Sequence, residues 1–120
     1  EVPPVIKEKM VAANSSQTTR SRSRTGKHSR QLVSPWTDAW ESEQAPDPLP
    51  MPLQPMVAEP ALQKVAKLAE GGHDGARDLA TYWVGQGVGL MNQSISASDV
   101  VQEFKEDFAE AYERLTGFVS

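Results

Sequence analysis

A chain of 120 residues with a net charge of −4 has room for one domain with a modest core. It is too short for a barrel enzyme, which needs roughly 250 residues. The absence of cysteine excludes a disulfide framework or a thiolate metal site and agrees with a reducing compartment, the cytoplasm being the expected one. No stretch approaches the ~18 apolar residues of a membrane span, and no signal-peptide core follows Glu1, a first residue that points to a processed or cut start.

The charge is unevenly spread. From Glu1 to Arg30 seven Lys/Arg stand against two Glu, a balance of +5, and the remainder has five against fourteen, a balance of −9. Such a split marks either an interaction tail or one solvated basic surface on a larger protein, and the second is the plainer reading.

Pro3 and Pro4 suit the first turn of a helix, where a missing N–H costs nothing. Val5, Ile6, Met10 and Ala13 then recur at helical spacing until Asn14 and Ser15 stop the run. From Thr18 to Thr25 hydroxyl and arginine alternate, with Thr19, Ser21 and Ser23 on one side and Arg20, Arg22 and Arg24 on the other. Period two is the strand signature, but neither face is apolar, so a strand here lies at an edge or is simply extended. Gly26 permits a turn, and a short amphipathic segment follows from Gln31 to Trp40, anchored by Leu32, Val33, Trp36 and Trp40, with Pro35 starting or interrupting a helix.

Prolines at 46, 48, 50, 52, 55 and 60 make Ala45 to Pro60 an extended connector in which no helix interior is expected. Pro60 to Glu70 reads as a helix with Leu62, Val65, Ala66 and Ala69 on one stripe, closed by Gly71-Gly72. His73 to Asp78 is polar and reads as a loop. Ser96 has the character of an N-cap with Asp99 three residues on, a variant of the capping box. Val100, Val101, Phe104, Phe108, Ala111, Tyr112 and Leu115 form the apolar stripe of the clearest helix, opposed by Glu103, Lys105, Glu106, Glu110 and Glu113. That stripe needs a surface to cover it, which upstream sequence is expected to supply. No internal repeat is present, and no heptad run is long enough for a coiled coil.

Trp83-Val84-Gly85-Gln86-Gly87-Val88-Gly89-Leu90 joins a strand-like run to three alternating glycines. Glycine lets a backbone approach a ligand or another segment closely. The spacing is G-x-G-x-G, not the dinucleotide fingerprint, so by itself it reads equally as a tight turn between packed elements. Gln86 brings the strong hydrogen-bonding side chain to this run, able to orient a small polar group or to satisfy turn backbone. Trp83 suits a pocket wall or ordinary core. Arg20, Arg22, Arg24, Lys27 and Arg30 could neutralise phosphates, but no aromatic is interleaved before Trp36, so the stacking platform of a single-strand binder is missing and a solvated face is the simpler reading. His28 and His73 lack acidic neighbours at ligand spacing, so each reads as a surface histidine and no metal site is expected. The carboxylates of the last helix lie on its solvent face and do not form an acid–base pair.

Taken in order, these segments resemble one family, the nitronate monooxygenases, formerly called 2-nitropropane dioxygenases. Its members follow the last barrel strand with an acidic, Ser/Pro-rich step into a helix with Lys at its middle, which Glu1-Val2-Pro3-Pro4 and Lys7-Glu8-Lys9-Met10 resemble. A Thr/Arg-rich extended stretch and a Gly-basic-x-x-Arg turn come next, similar to Gly26-Lys27-His28-Ser29-Arg30. A proline-leucine connector follows, similar to Leu49-Pro50-Met51-Pro52-Leu53-Gln54, and then a Trp-small-Gly-Gln-Gly-x-Gly-Leu motif, matched by Trp83 to Leu90. Several relatives have Lys-Ser-Leu before the tryptophan where this chain has Ala80-Thr81-Tyr82, a departure that bears on subgroup and substrate.

The resemblance implies an FMN-binding TIM barrel that oxidises alkyl nitronates with O2 to a carbonyl compound and nitrite. This chain would be mainly α with long irregular connections, forming the C-terminal part and cap of that α/β barrel. Residues 1–14 would be a late barrel helix, 15–78 a cap segment with its Pro-rich connector at 45–60, and 79–120 the active-site motif and terminal helix. Trp83, Gly85, Gln86 and Gly87 would line the substrate side of the flavin pocket. The family's catalytic histidine and phosphate loops would precede Glu1, so no catalytic residue is expected here and the chain alone is expected to be inactive. An alkyl nitronate and O2 would be the partners, without nucleic acid or membrane; homo-oligomer formation stays open. Two further readings also stay open: an independent helical interaction module acting through the Val100–Leu115 stripe, favoured by cooperative unfolding in isolation, and a nucleic-acid binder using Arg20 to Arg30, favoured by a steep salt dependence.

Overall fold

The computed structural model describes residues 2–119. In chain order they form α1 (Pro4–Ala12), β1 (Thr18–Ser21), β2 (Ser29–Leu32), α2 (Pro35–Trp40), α3 (Leu53–Glu70), α4 (Asp74–Leu79), a 3-10 turn (Gln86–Leu90) and α5 (Ala97–Val119). The chain is mainly helical with one small two-stranded antiparallel sheet, in which Thr18 faces Leu32 and Ser21 faces Ser29. No helix of the described residues is long and apolar enough to cross a membrane.

The core lies where α1, α3 and α4 meet. Val5 and Ile6 of α1 are buried against Ala69 of α3, Ala76 of α4 and Ala80, with Met10, Val65 and Tyr82 packed around them. Alanine at these contacts lets helices approach closely while burying little apolar surface, so polar ties add to the cohesion. The Lys9 ammonium donates to the Asp78 and Ala80 carbonyls (2.8 and 2.7 Å), oxygens at the end of α4 that the helix itself leaves unpaired. Arg77 and Glu8 form an ion pair across the same junction, but both side chains are more than half exposed, and such pairs contribute little.

Burial lowers the Lys9 pKa below its ordinary 10.5, against a raising influence from Asp78. A lysine whose folded pKa is depressed binds its proton more readily in the unfolded chain, so stability rises as pH climbs from the folded value towards 10.5. The wild-type protein is therefore expected to gain more stability than Lys9→Met over that alkaline window, read from urea midpoints of both proteins. A constant difference between the two curves would contradict this account of Lys9.

Four local expectations need correction. Gln31 and Leu32 belong to β2 and so split the expected amphipathic segment, and of the two roles open to Pro35 it takes that of starting the helix, after the Thr37 hydroxyl accepts from the Ser34 N–H (2.9 Å) in a reciprocal cap. The Thr18–Thr25 run is a strand only to Ser21, and it finds its partner in Ser29–Leu32. The helix expected from Pro60 starts at Leu53 and contains Pro60. Pro55 sits in its first turn, where the N–H groups have no acceptor, and Pro60 lies on the exposed side, so the interruption falls away from the packed face with Gln54, Ala58 and Leu62. The extended connector is thus confined to residues before Leu53. His73 to Asp78 is largely α4 instead of a loop, because the His73 Nδ1 accepts from the Ala76 N–H (3.1 Å) and caps it.

α5 forms as its periodicity indicates. The Ser96 hydroxyl accepts from the Asp99 N–H (3.1 Å) and donates to the Asp99 carboxylate (2.7 Å). None of its residues is buried.

Candidate functional site

The Trp83-to-Leu90 motif sits on the outer edge of β2. The Leu32 N–H donates to the Tyr82 carbonyl (3.0 Å) and the Val84 N–H to the Arg30 carbonyl (3.2 Å), with Trp83 bridged antiparallel to Gln31. The Thr81 hydroxyl adds a bond to the Leu32 carbonyl (2.6 Å). β2 is therefore flanked on both sides, by β1 and by the motif, which explains why a sheet with so little apolar content holds together: its central strand uses backbone groups in both directions.

Beneath the motif lies Arg24. Its guanidinium grips the Glu59 carboxylate of α3 with two nitrogens (2.6 and 3.2 Å), a fork geometry that outlasts single charged bonds. The same group lies 3.7 Å from the centre of the Trp83 ring and 5.2 Å from that of Tyr82, within range of a cation–π attraction. The Trp83 indole N–H points to the Ser29 hydroxyl (3.3 Å), and Tyr82 meets Trp83 edge to face. Trp83 is thereby fixed from beneath while 40% of its surface stays exposed.

The glycine steps divide into two kinds. Val88 is buried, and a Cβ on Gly89 would overlap the Ser15 hydroxyl and come within 2.6 Å of the Ser15 backbone nitrogen. The close approach of Gly89 to Ser15 sets the 3-10 turn against the loop between α1 and β1. At Gly87 a Cβ would meet nothing within 4 Å, and at Gly85 only the Gly87 nitrogen at 3.9 Å. Neither glycine is required by packing inside the described residues. Gln86 between them is exposed and its side chain makes no hydrogen bond there. The four motif residues singled out from sequence, Trp83, Gly85, Gln86 and Gly87, are thus all exposed, with half-buried Val84 between the first two.

The local sequence pattern does not announce the Arg24–Glu59 base beneath Trp83. Its alternation places Arg24 with Arg20 and Arg22 on a solvated face, yet only 6% of Arg24 is exposed. The alternation fails because β1 ends at Ser21 and the following turn rotates Arg24 inward together with Ser23. Glu59, its partner, lay inside the proline-rich stretch, where no helix was expected to present it.

No family model and no solved structure matches the chain. A Mycobacterium tuberculosis protein that carries the provisional name monooxygenase is 47% identical to it over 120 residues. The match takes in 99% of this chain but 32% of the relative, so the chain spans about a third of the length of the curated protein it resembles.

Proposed function

We propose that this chain is the C-terminal part and cap of an FMN-dependent nitronate monooxygenase with a TIM barrel, converting alkyl nitronates and O2 to a carbonyl compound and nitrite. The observation that carries the proposal is the outward step Gly85-Gln86-Gly87, held over the Trp83–Arg24–Glu59 base, with two glycines whose smallness the described residues do not use. Surfaces of that kind admit close backbone approach by something flat. The relative's provisional monooxygenase name and the ordered motifs support the same reading.

The residues present fit one edge of a flavin. Gln86 offers an amide donor and an acceptor, and Trp83 an exposed indole face. FMN, when bound, supplies the redox chemistry, and the protein's part is placement and the exclusion of competing reactions. Within this chain Gln86 would orient the ring edge or the substrate, Trp83 would wall the substrate side, and Gly85 and Gly87 would keep the approach open. Residues 1–14 would pack on the barrel, 15–78 would cap its mouth, and 79–120 would carry the motif.

In the complete enzyme, Gln86→Ala is expected to lower kcat/KM by roughly tenfold, the worth of one neutral hydrogen bond, while Glu110→Ala on the solvent face of α5 leaves it unchanged. Steady-state oxygen consumption with a primary alkyl nitronate makes the comparison. Equal effects at the two positions would remove Gln86 from the pocket.

A further inference from the structure

α5 presents an apolar seam that nothing among the described residues covers. Val101, Phe104, Phe108, Leu115 and Phe118 are 56%, 68%, 73%, 62% and 86% exposed, and Ala111 on the same line is exposed as well. The steps between these six positions alternate strictly three and four residues along the chain. Tyr112 and Val119, 60% and 80% exposed, border the line on one side, and the alternation of three and four is the spacing with which one helix can lie along another.

The order of side chains along the seam indicates its occupant. Laid antiparallel on a second copy of itself, α5 brings Phe108 opposite the small Ala111 of the other copy, Phe104 opposite Leu115, and Val101 opposite Phe118, each contact occurring twice by symmetry. In that register Asp107 flanks Arg114 of the other copy, again twice, and Lys105 lies along Tyr112. A parallel arrangement would instead stack Phe on Phe and Ala on Ala and set Asp107 beside Tyr112 and Arg114 beside Val119, leaving both charges without a partner across the seam. Large against small, and acid against base, both select the antiparallel register. The helix has 23 residues, none of them buried among the described residues, and about 35 Å of length for such a partner to follow.

We propose that α5 is a self-association element, pairing antiparallel with α5 of a second copy of this chain through Val101, Phe104, Phe108, Ala111, Leu115 and Phe118, with Asp107–Arg114 ion pairs fixing the register. The proposal uses no residue of the motif, so its failure and that of the flavoenzyme reading are distinguishable, and it puts a second copy where upstream sequence was the expected cover of the stripe.

Sedimentation velocity of the full-length protein over a concentration series tests it. Wild type is expected to dimerise. Phe108→Glu, at a solvent-facing position whose loss leaves the core intact, is expected to weaken the dimer by at least about tenfold, as for a central interface anchor. Asp107→Arg should weaken it several-fold by setting arginine beside arginine, and adding Arg114→Asp should recover wild-type affinity. A monomer at all concentrations, a dimer indifferent to Phe108→Glu, or a double variant no better than Asp107→Arg alone would overturn the proposal. So would a monomer whose α5 amides are strongly protected from hydrogen exchange, since the protein's own chain would then cover the seam.

Discussion

Replacing Gly26 with alanine is expected to destabilise the protein severely, and two separate causes add. The residue sits at φ +81°, where a side chain costs roughly 1–2 kcal/mol. A Cβ there would also overlap the Leu49 carbonyl oxygen and lie 2.8 Å from the Met51 nitrogen. Both are backbone atoms and cannot rotate away, so overpacking adds roughly 1–3 kcal/mol. The collision would push the connector off the β1–β2 turn. That contact is kept by Gln54, whose amide donates to the Ser23 carbonyl (2.6 Å) and accepts from the Leu49 N–H (3.0 Å). Gly72 serves as the control, because at φ +89° it has nothing within 4 Å of a Cβ, and Gly72→Ala should show the conformational cost alone. Urea unfolding of both variants separates the two causes. Equal losses at the two positions would mean that the connector does not press on Gly26.

Removing the Arg24 guanidinium is expected to cost nearly as much and to reach the candidate site directly. Breaking a buried ion pair by deleting one partner typically costs about 3–5 kcal/mol. The lower end applies to Arg24→Met, since Glu59 keeps 30% of its side chain in solvent and can rehydrate. The cation–π contact with Trp83 adds roughly 0.5–2 kcal/mol. Arg24→Lys should rescue little: an ammonium retains the charge but neither the two-pronged grip on Glu59 nor the flat stacking on indole. Freed from beneath, Trp83 should become more mobile, visible as lower fluorescence anisotropy against a Trp36/Trp40 double-variant background. Full rescue by lysine would reduce the role of Arg24 to charge alone.

Local rules made much of this molecule legible. α1 announces itself through Pro3-Pro4 and the Val5/Ile6/Met10 spacing, and α5 through Ser96 and the longest amphipathic stripe in the chain. Elements set by distant partners were hidden. β2 pairs with β1 and with the motif, and none of its residues Ser29-Arg30-Gln31-Leu32 shows an apolar alternation. Gln31 is fully buried, though its type suggests a surface position. The first turns of α3 were masked by Pro55 and Pro60, whose cost depends on which side of the helix each occupies, and α4 by a histidine serving as an uncommon cap. At the candidate site, Trp83, Gly85, Gln86 and Gly87 were readable as a motif. Their support was not, because Arg24 and Glu59 meet only through the turn after β1 and the early start of α3.

The flavin reading is tested most directly by titrating FMN, followed by its own fluorescence, with this chain alone and with the full-length protein of which we propose it is the C-terminal part. The account predicts saturable binding by the full-length protein and none by the chain alone, because the motif would touch one edge of the ring while the phosphate is held elsewhere. Absence of binding by both would contradict the account and leave α5 and its self-association as the better guide to what the protein does.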